Sequence, residues 1–356
     1  MTRETFWRGR RVLVTGHTGF KGSWLCLWLR RLGAEVTGFA LEPPSTPNLF
    51  EAADLASDID SIHGDVRDFE AVTGVFERSR PEIVLHLAAQ SLVRPSYDDP
   101  LATYATNVMG TVHVLEAARR VPGVRALLVV TSDKCYENRE WLWPYRENEA
   151  LGGHDPYSSS KGCAELVTTA FHRSFFADSQ TRVASARAGN VVGGGDWAVD
   201  RLIPDLVRGM VAGEPIHIRN PGAVRPWQHV LEALEGYLAL VERLWDSGDF
   251  TGGWNFGPRQ DDARSVAWIV ERLIGRWHGL TGETLPWSRD GGPHPHEAGL
   301  LRLDTTKARE GLGWRPRLDL GTCLDWIVDW TLAYRDGRPV KDLCLEQIQR
   351  FEELAP

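Results

Sequence analysis

The stretch Arg11–Gly22, RVLVTGHTGFKG, decides the fold. A β-rich apolar pentapeptide runs straight into three glycines and then into the amphipathic segment Ser23–Leu32, which reads as strand, tight turn and helix. Glycines at 16, 19 and 22 let the backbone turn sharply and come close to a diphosphate, which would then rest on the helix N-terminus. The G-x-x-G-x-x-G spacing is one residue wider than the familiar G-x-G-x-x-G loop. Glycine triplets arise by chance, but one set between a strand and a helix reads as a nucleotide loop.

Working outward, Glu35–Leu41 is a second strand, and an acid is expected at its end to hold an adenosine ribose. Ala40 stands there instead, with Glu42 beyond it before a Pro-Pro break. His63-Gly64-Asp65-Val66-Arg67-Asp68 closes a third strand and places Asp65 and the Val66 backbone to receive an adenine. Glu82–Ala89 is a fourth strand ending in small residues that a cofactor can pass closely. A helical stretch, Pro100–Val121, follows. Ala126–Val130 is a fifth strand and Thr181–Ala188 a sixth. Strand and helix alternate over short connections, so the expected fold is α/β, a Rossmann-type doubly wound parallel sheet.

The fifth strand carries the chemistry. ALLVV reads as a buried parallel strand and then stops in Thr131, Ser132, Asp133 and Lys134. Polar groups released at the carboxyl end of such a strand face the ligand crevice. Tyr157 and Lys161 lie one helical turn apart on one face. An ammonium beside a phenol stabilises the phenolate, which is expected to lower the Tyr157 pKa toward that of a working base. A lone Y-x-x-x-K is ordinary helix surface; the upstream loop is what gives this one meaning.

At 356 residues the chain suits one large or two closely packed domains, and 42% hydrophobic with 25% charged residues are globular values. A formal net charge of −8 argues against a nucleic-acid partner held by general electrostatics. The cysteines at 26, 135, 163, 323 and 344 are scattered without metal-like spacing, as suits a reducing cytosol. The N-terminus lacks the apolar segment of a signal peptide and no run reaches membrane-spanning length, so a soluble cytoplasmic protein is expected. Only five of the 40 basic residues are lysine, and three of them, Lys21, Lys134 and Lys161, fall in these motifs. A compact, titratable amine is wanted at those places.

After residue 188 the texture changes to Gly, Pro, Trp and Arg. The expected division is a nucleotide-binding domain over 1–188 and a smaller α/β substrate-binding domain over 189–356, with part of 229–252 folding back onto the first. Arg219 and Arg225 have the guanidinium forks that suit a diphosphate, and solvated surface arginines are the other reading. His294-Pro295-His296-Glu297 lacks metal-ligand spacing, and no metal is expected there.

TGHTGFKG, GDVRD, LAAQ, Ser132-Asp133 and the Tyr157/Lys161 pair resemble the extended short-chain dehydrogenase/reductases that act on nucleotide sugars. VTGHTGFKGSWL, TSDKCYEN and RNPGAVRPWQHVLE are similar to the branch of that family that dehydrates CDP-glucose, over essentially the whole chain. Related dTDP- and GDP-sugar dehydratases carry Asp-Glu or a similar pair where this chain has Asp133-Lys134. The resemblance implies NAD, held by Gly16, Thr18, Gly19, Phe20, Lys21, Gly22, Asp65 and Val66, by Leu87, Ala88, Ala89 and Gln90, by Asn107, and by Tyr157 and Lys161. The missing acid after the second strand leaves NAD and NADP both open. It implies CDP-glucose as substrate, lined by Asn190, Arg201, Arg219, Arg225 and Asn255, with His296 and Glu297 nearby.

Under the same resemblance, Ser132, Tyr157 and Lys161 would serve oxidation at C4, with Asp133 as acid and Lys134 as base for loss of water. Lys134 as a structural partner of Asp133 is the alternative. The helices Pro100–Val121 and Tyr157–Phe176 look like the pair that builds a homodimer contact, and a homotetramer stays open. A 4-epimerase, a simple reductase and a non-catalytic nucleotide-sugar sensor are the competing readings. The epimerase needs no Asp133-Lys134 pair, and the sensor needs neither Tyr157 nor Lys161.

Overall fold

The first strand, β1 (Arg11–Thr15), lies inside a seven-stranded sheet, here described from a computed structural model covering residues 2–290 and 300–354. Its companions are β2 (Glu35–Ala40), β3 (Asp60–His63), β4 (Ile83–His86), β5 (Ala126–Val130), β6 (Arg182–Ala188) and β7 (Gly252–Phe256). The order is β7-β6-β5-β4-β1-β2-β3, parallel throughout. The order reverses between β1 and β4, and the strands' carboxyl ends open a crevice there.

Both faces of the sheet are covered, which explains the apolar runs of its central strands β1, β4 and β5. Val12, Val14, Leu85 and Leu128 share one core with α1 (Phe20–Arg31), with a long helix at Val230–Asp246 and with the C-terminal helix at Val340–Glu352. Leu13, Val84 and Leu127 face the opposite core, shared with α2 (Phe69–Ser79) and with a helix at Gly110–Arg120. Burying Trp24, Leu25, Trp28 and Leu29 of α1 contributes roughly 2 kcal/mol per side chain.

The helix begins at Phe20, three residues earlier than its apolar periodicity predicts. Gly19 serves as N-cap, so Lys21 and Gly22 are already in the first turn. The expected helix Pro100–Val121 is found as α3 (Pro100–Tyr104), a π-helical turn at Ala105–Met109, and α4 (Gly110–Arg120). The helix carrying Tyr157 and Lys161 is α5 (Pro156–Phe171), capped by Asp155 and continued by a π turn at His172–Phe176.

A second, smaller core gathers α6 (Leu202–Ala212), α8 (Val266–Thr281) and α9 (Leu320–Arg335) around Leu206, Ile269, Leu273 and Leu324. Between them in sequence, α7 (Val230–Asp246) and β7 return to the main sheet, where α7 packs on β5 and β6. The last helix, α10 (Val340–Glu352), packs against α1. Among the described residues no helix is long and apolar enough to cross a membrane.

Candidate active site at the carboxyl ends of β1, β4 and β5

The loop between β1 and α1 has no room for side chains where it turns. Gly16 has φ +78°, and a Cβ there would stand 2.7 Å from the Ala88 backbone nitrogen. A Cβ on Gly22 would come within 2.1 Å of the Gly16 carbonyl oxygen. Ala88 is brought alongside by β4, its amide bonded to Thr15 Oγ1 at 3.2 Å. Thr18 Oγ1 donates to the Leu41 carbonyl at 2.9 Å and fixes the loop to the chain just past β2. A bare cradle of backbone at a helix start fits a dinucleotide diphosphate.

Not every predicted cofactor residue is free to meet a ligand. Asn107, expected at the cofactor, is buried in the π turn with its amide occupied: Oδ1 accepts from the Gln90 amide at 2.9 Å, and Nδ2 donates to the Gln90 carbonyl at 2.9 Å and Ser160 Oγ at 2.8 Å. These bonds tie Gln90 to the helix. Asp65 accepts from the Arg67 side chain, which holds its carboxyl below the usual range. The Val66 carbonyl accepts from His113 Nδ1 at 2.9 Å. No acid stands at the end of β2, and Glu42 beyond it pairs with His63.

Phe20 and Lys21 line a cavity of ≈ 270 Å³ together with Ser132, Asp133, Lys134 and Tyr157. Ser132 caps the short turn Asp133–Cys135: its Oγ accepts from the Lys134 amide at 3.2 Å and donates to Asp133 Oδ1 at 3.0 Å. The Asp133 side chain fits because residue 189 is glycine, where a Cβ would lie 3.0 Å from Asp133 Oδ2. Burial pushes the Asp133 pKa up, against the pull of Lys134, Ser132 and Arg225. A carboxyl raised in this way is suited to donate a proton.

The expectation for Tyr157 is corrected. Burial pushes its phenol up to about 12, outweighing the hydrogen bond with Ser132 and the charge of Arg201. Lys161, whose Nζ reaches the Val130 carbonyl at 3.4 Å, is itself held down to about 8 by burial and by the charge of Lys21. The phenolate is therefore not preformed in the protein alone.

On the far wall of the cavity lie Asn190, Arg201, Arg219 and Arg225. Arg201 contacts Asp196 at 3.2 Å and Ser91 Oγ at 3.0 Å, and Arg219 donates to the Asp200 carbonyl at 2.8 Å. Asn255 is a correction. It is fully buried on β7, donating to the Tyr145 and Asp304 carbonyls at 2.9 and 3.1 Å and accepting from the Tyr136 hydroxyl at 2.7 Å, and it does not line the cavity. His296 and Glu297 lie outside the described residues. Sequence reasoning passed over Asp196 and Ser91, which hold Arg201, and the buried Glu165 and Arg187 behind the crevice. An arginine inside the apolar strand RVASARA and a glutamate one turn past Lys161 were the available signals.

A dinucleotide cradle and a Tyr/Lys pair at one crevice of a doubly wound sheet are the parts of a short-chain dehydrogenase/reductase scaffold. The chain belongs to the GDP-mannose 4,6-dehydratase family, whose model matches residues 13–325. It is 53% identical over 343 residues to the CDP-glucose 4,6-dehydratase of Salmonella typhimurium, covering 95% of this chain and 94% of that protein. A dTDP-glucose 4,6-dehydratase of Xanthomonas campestris is 26% identical, covering 90% and 93%. Among solved structures, MoeE5 in complex with UDP-glucose and NAD superposes with a TM-score of 0.74 at 27% identity, covering 91% of this chain and 99% of MoeE5. UDP-glucose 4-epimerase of Thermotoga maritima, at 24% identity and a TM-score of 0.77, shares the fold over 91% of this chain and 99% of its own.

Proposed function

We propose that the protein is an NAD-dependent CDP-glucose 4,6-dehydratase, converting CDP-glucose to CDP-4-keto-6-deoxyglucose and water. The observation that carries this reading is the placing of Asp133 and Lys134 in one cavity with Tyr157. An epimerase needs the tyrosine but has no use for a second acid/base pair. The 53% identity to the Salmonella enzyme supports the choice of the cytidine nucleotide.

A nicotinamide cofactor held by the cradle of Gly16, Gly19 and Gly22 would supply the hydride acceptor for C4 and the hydride donor for C6. The chain's own residues move the protons. Tyr157, beside Ser132, takes the C4 hydroxyl proton, and a charged Lys161 favours the phenolate that does so. The ketone at C4 acidifies C5, and Lys134 is the base placed to remove that proton. Asp133, protonated, gives its proton to the departing C6 hydroxyl, which leaves as water. Lys134 then returns a proton to C5. After one turnover Tyr157 holds a proton gained and Asp133 lacks a proton given. Ser132, which donates to Asp133 Oδ1 and faces the same cavity as Tyr157, lies on the return path. Arg219 and Arg225 neutralise the substrate diphosphate.

The protein is read as a cytoplasmic homo-oligomer. Its cysteines are all free. Leu101 and Tyr104 on α3, Leu166 on α5 and Phe175 after it are exposed, Leu101 at 82%. Helices α3 to α5 of two copies would cover them.

Incubation of the purified protein with CDP-glucose, dTDP-glucose or GDP-mannose, with and without added NAD, tests the reading. Loss of one water from CDP-glucose alone is expected, read by mass and by the alkaline absorbance of the keto sugar. Conversion to a sugar of unchanged mass would make the protein an epimerase.

A further inference from the structure

Behind the crevice lies a buried charge network that the chemistry above does not use. Glu165 on α5, one turn past Lys161, is 1% exposed, and Arg187 in β6 is 4% exposed. Arg187 Nη2 donates to Glu165 Oε2 at 2.7 Å; Ser185 Oγ donates to the same oxygen at 2.7 Å, and the Thr131 hydroxyl donates to Oε1. Arg187 Nη1 donates to the Tyr136 hydroxyl at 2.7 Å and to the Glu147 carbonyl at 3.0 Å. The Tyr136 hydroxyl in turn donates to Asn255 Oδ1 at 2.7 Å.

The two ends of one short segment enter this network. Thr131 immediately precedes Ser132, and Tyr136 immediately follows the turn Asp133–Cys135. The third anchor, Glu165, rides on the helix that carries Tyr157 and Lys161. That helix is pressed against the segment at Gly162, where a Cβ would lie 2.6 Å from the Gly152 carbonyl oxygen and 3.2 Å from that of Cys135.

A buried ion pair adds little net stability compared with apolar residues of the same size. A network of this kind, with both carboxylate oxygens bonded, holds its parts rigidly in a low-dielectric interior. Rigidity matters here because the two half-reactions occur at different carbons of one sugar, C4 and then the C5–C6 pair. The groups serving them come from separate elements, the β5 turn and α5, and a misplacement of about 1 Å costs on the order of a hundredfold in rate.

We infer that the Glu165–Arg187–Tyr136 network is a positioning device that fixes the turn bearing Asp133 and Lys134 in register with Tyr157 and Lys161, so that oxidation and dehydration act on one bound sugar. The inference rests on the dehydratase reading for its chemical consequence but not for its structural one.

The test is Tyr136→Phe, which keeps the ring stacked on Tyr145 and deletes only the bridging hydroxyl. Two readouts are taken. Without substrate, hydrogen exchange at the amides of Lys134, Cys135 and Tyr136, which close the turn, is expected to speed up several-fold. With CDP-glucose, kcat is expected to fall by roughly tenfold or more with KM near wild type, and reduced nicotinamide should build up as elimination lags behind C4 oxidation. Unchanged exchange in the turn overturns the inference, as does a loss of kcat with the cofactor remaining oxidised. Glu165→Gln, which removes the charge and keeps the shape, should reproduce both effects. If wild-type protein leaves CDP-glucose untouched, the proposed function falls, and the exchange measurement alone then decides the network.

Discussion

Lys21, in the first turn of α1, and Lys161, on α5, carry like charges behind one another at the crevice, and burial together with the charge on Lys21 holds Lys161 down to about 8. The ammonium form of Lys161 is the one that favours a Tyr157 phenolate. Turnover should therefore decline as pH rises past about 8 and the charge is lost. Lys21→Met removes a like charge, raises the Lys161 pKa, and should move the alkaline limb of the kcat profile to higher pH. An unmoved limb would show that Lys161 does not set it.

Ser132→Ala separates one turnover from the next. If the hydroxyl carries the proton from Tyr157 back to Asp133, rapid mixing should give a burst of product equal to the enzyme present, then a slow steady state. A uniform slowing of both phases would place Ser132 in the oxidation step alone.

Gly22→Ala should fail at the cradle. The new methyl would need the space of the Gly16 carbonyl, 2.1 Å away. Overpacking of this kind costs about 1–3 kcal/mol, and NAD affinity should fall by about fivefold to a hundredfold in a calorimetric titration.

Glu232 on α7 links stability to pH. Burial raises its carboxyl from 4.5 to about 7, although the Arg317 and Leu318 amides both donate to it. A raised carboxyl favours the protonated fold, so its contribution is complete below about 4.5 and is lost as pH climbs through 7. The shift corresponds to on the order of 3 kcal/mol. Glu232→Gln should raise Tm at alkaline pH and leave it nearly unchanged under acid conditions, as thermal scans at the two pH extremes would read.

Leu101→Arg combined with Leu166→Arg puts charge on the exposed apolar face of α3 and α5. Sedimentation should show the wild type as an oligomer and the double variant as a monomer. A monomeric wild type would remove the proposed interface.

The sheet was legible because its central strands β1, β4 and β5 are apolar runs bounded by turn residues, and the glycine loop was legible because diphosphate contact demands backbone without side chains. Asp133, Lys134, Tyr157 and Lys161 were legible from strand-end polarity and helical spacing. Asn255 was misread because an asparagine beside a site and one facing into it look alike in sequence, and only the hydrogen-bond count separates them. The Tyr157 pKa was misjudged because spacing reveals the neighbouring charge but not the depth of burial. Glu165 and Arg187 belong to elements 22 residues apart, and nothing local to either announces the other.

The alanine at the end of β2 bears on any attempt to retune this protein. Changing a dinucleotide enzyme's preference for the phosphorylated cofactor usually begins by neutralising the acid at that strand end. Here the position is already neutral at Ala40, and the nearest acid, Glu42, is engaged with His63. Redesign at that single site therefore has nothing to grip, and selectivity would have to be rebuilt across the loop, the strand end and its neighbour together.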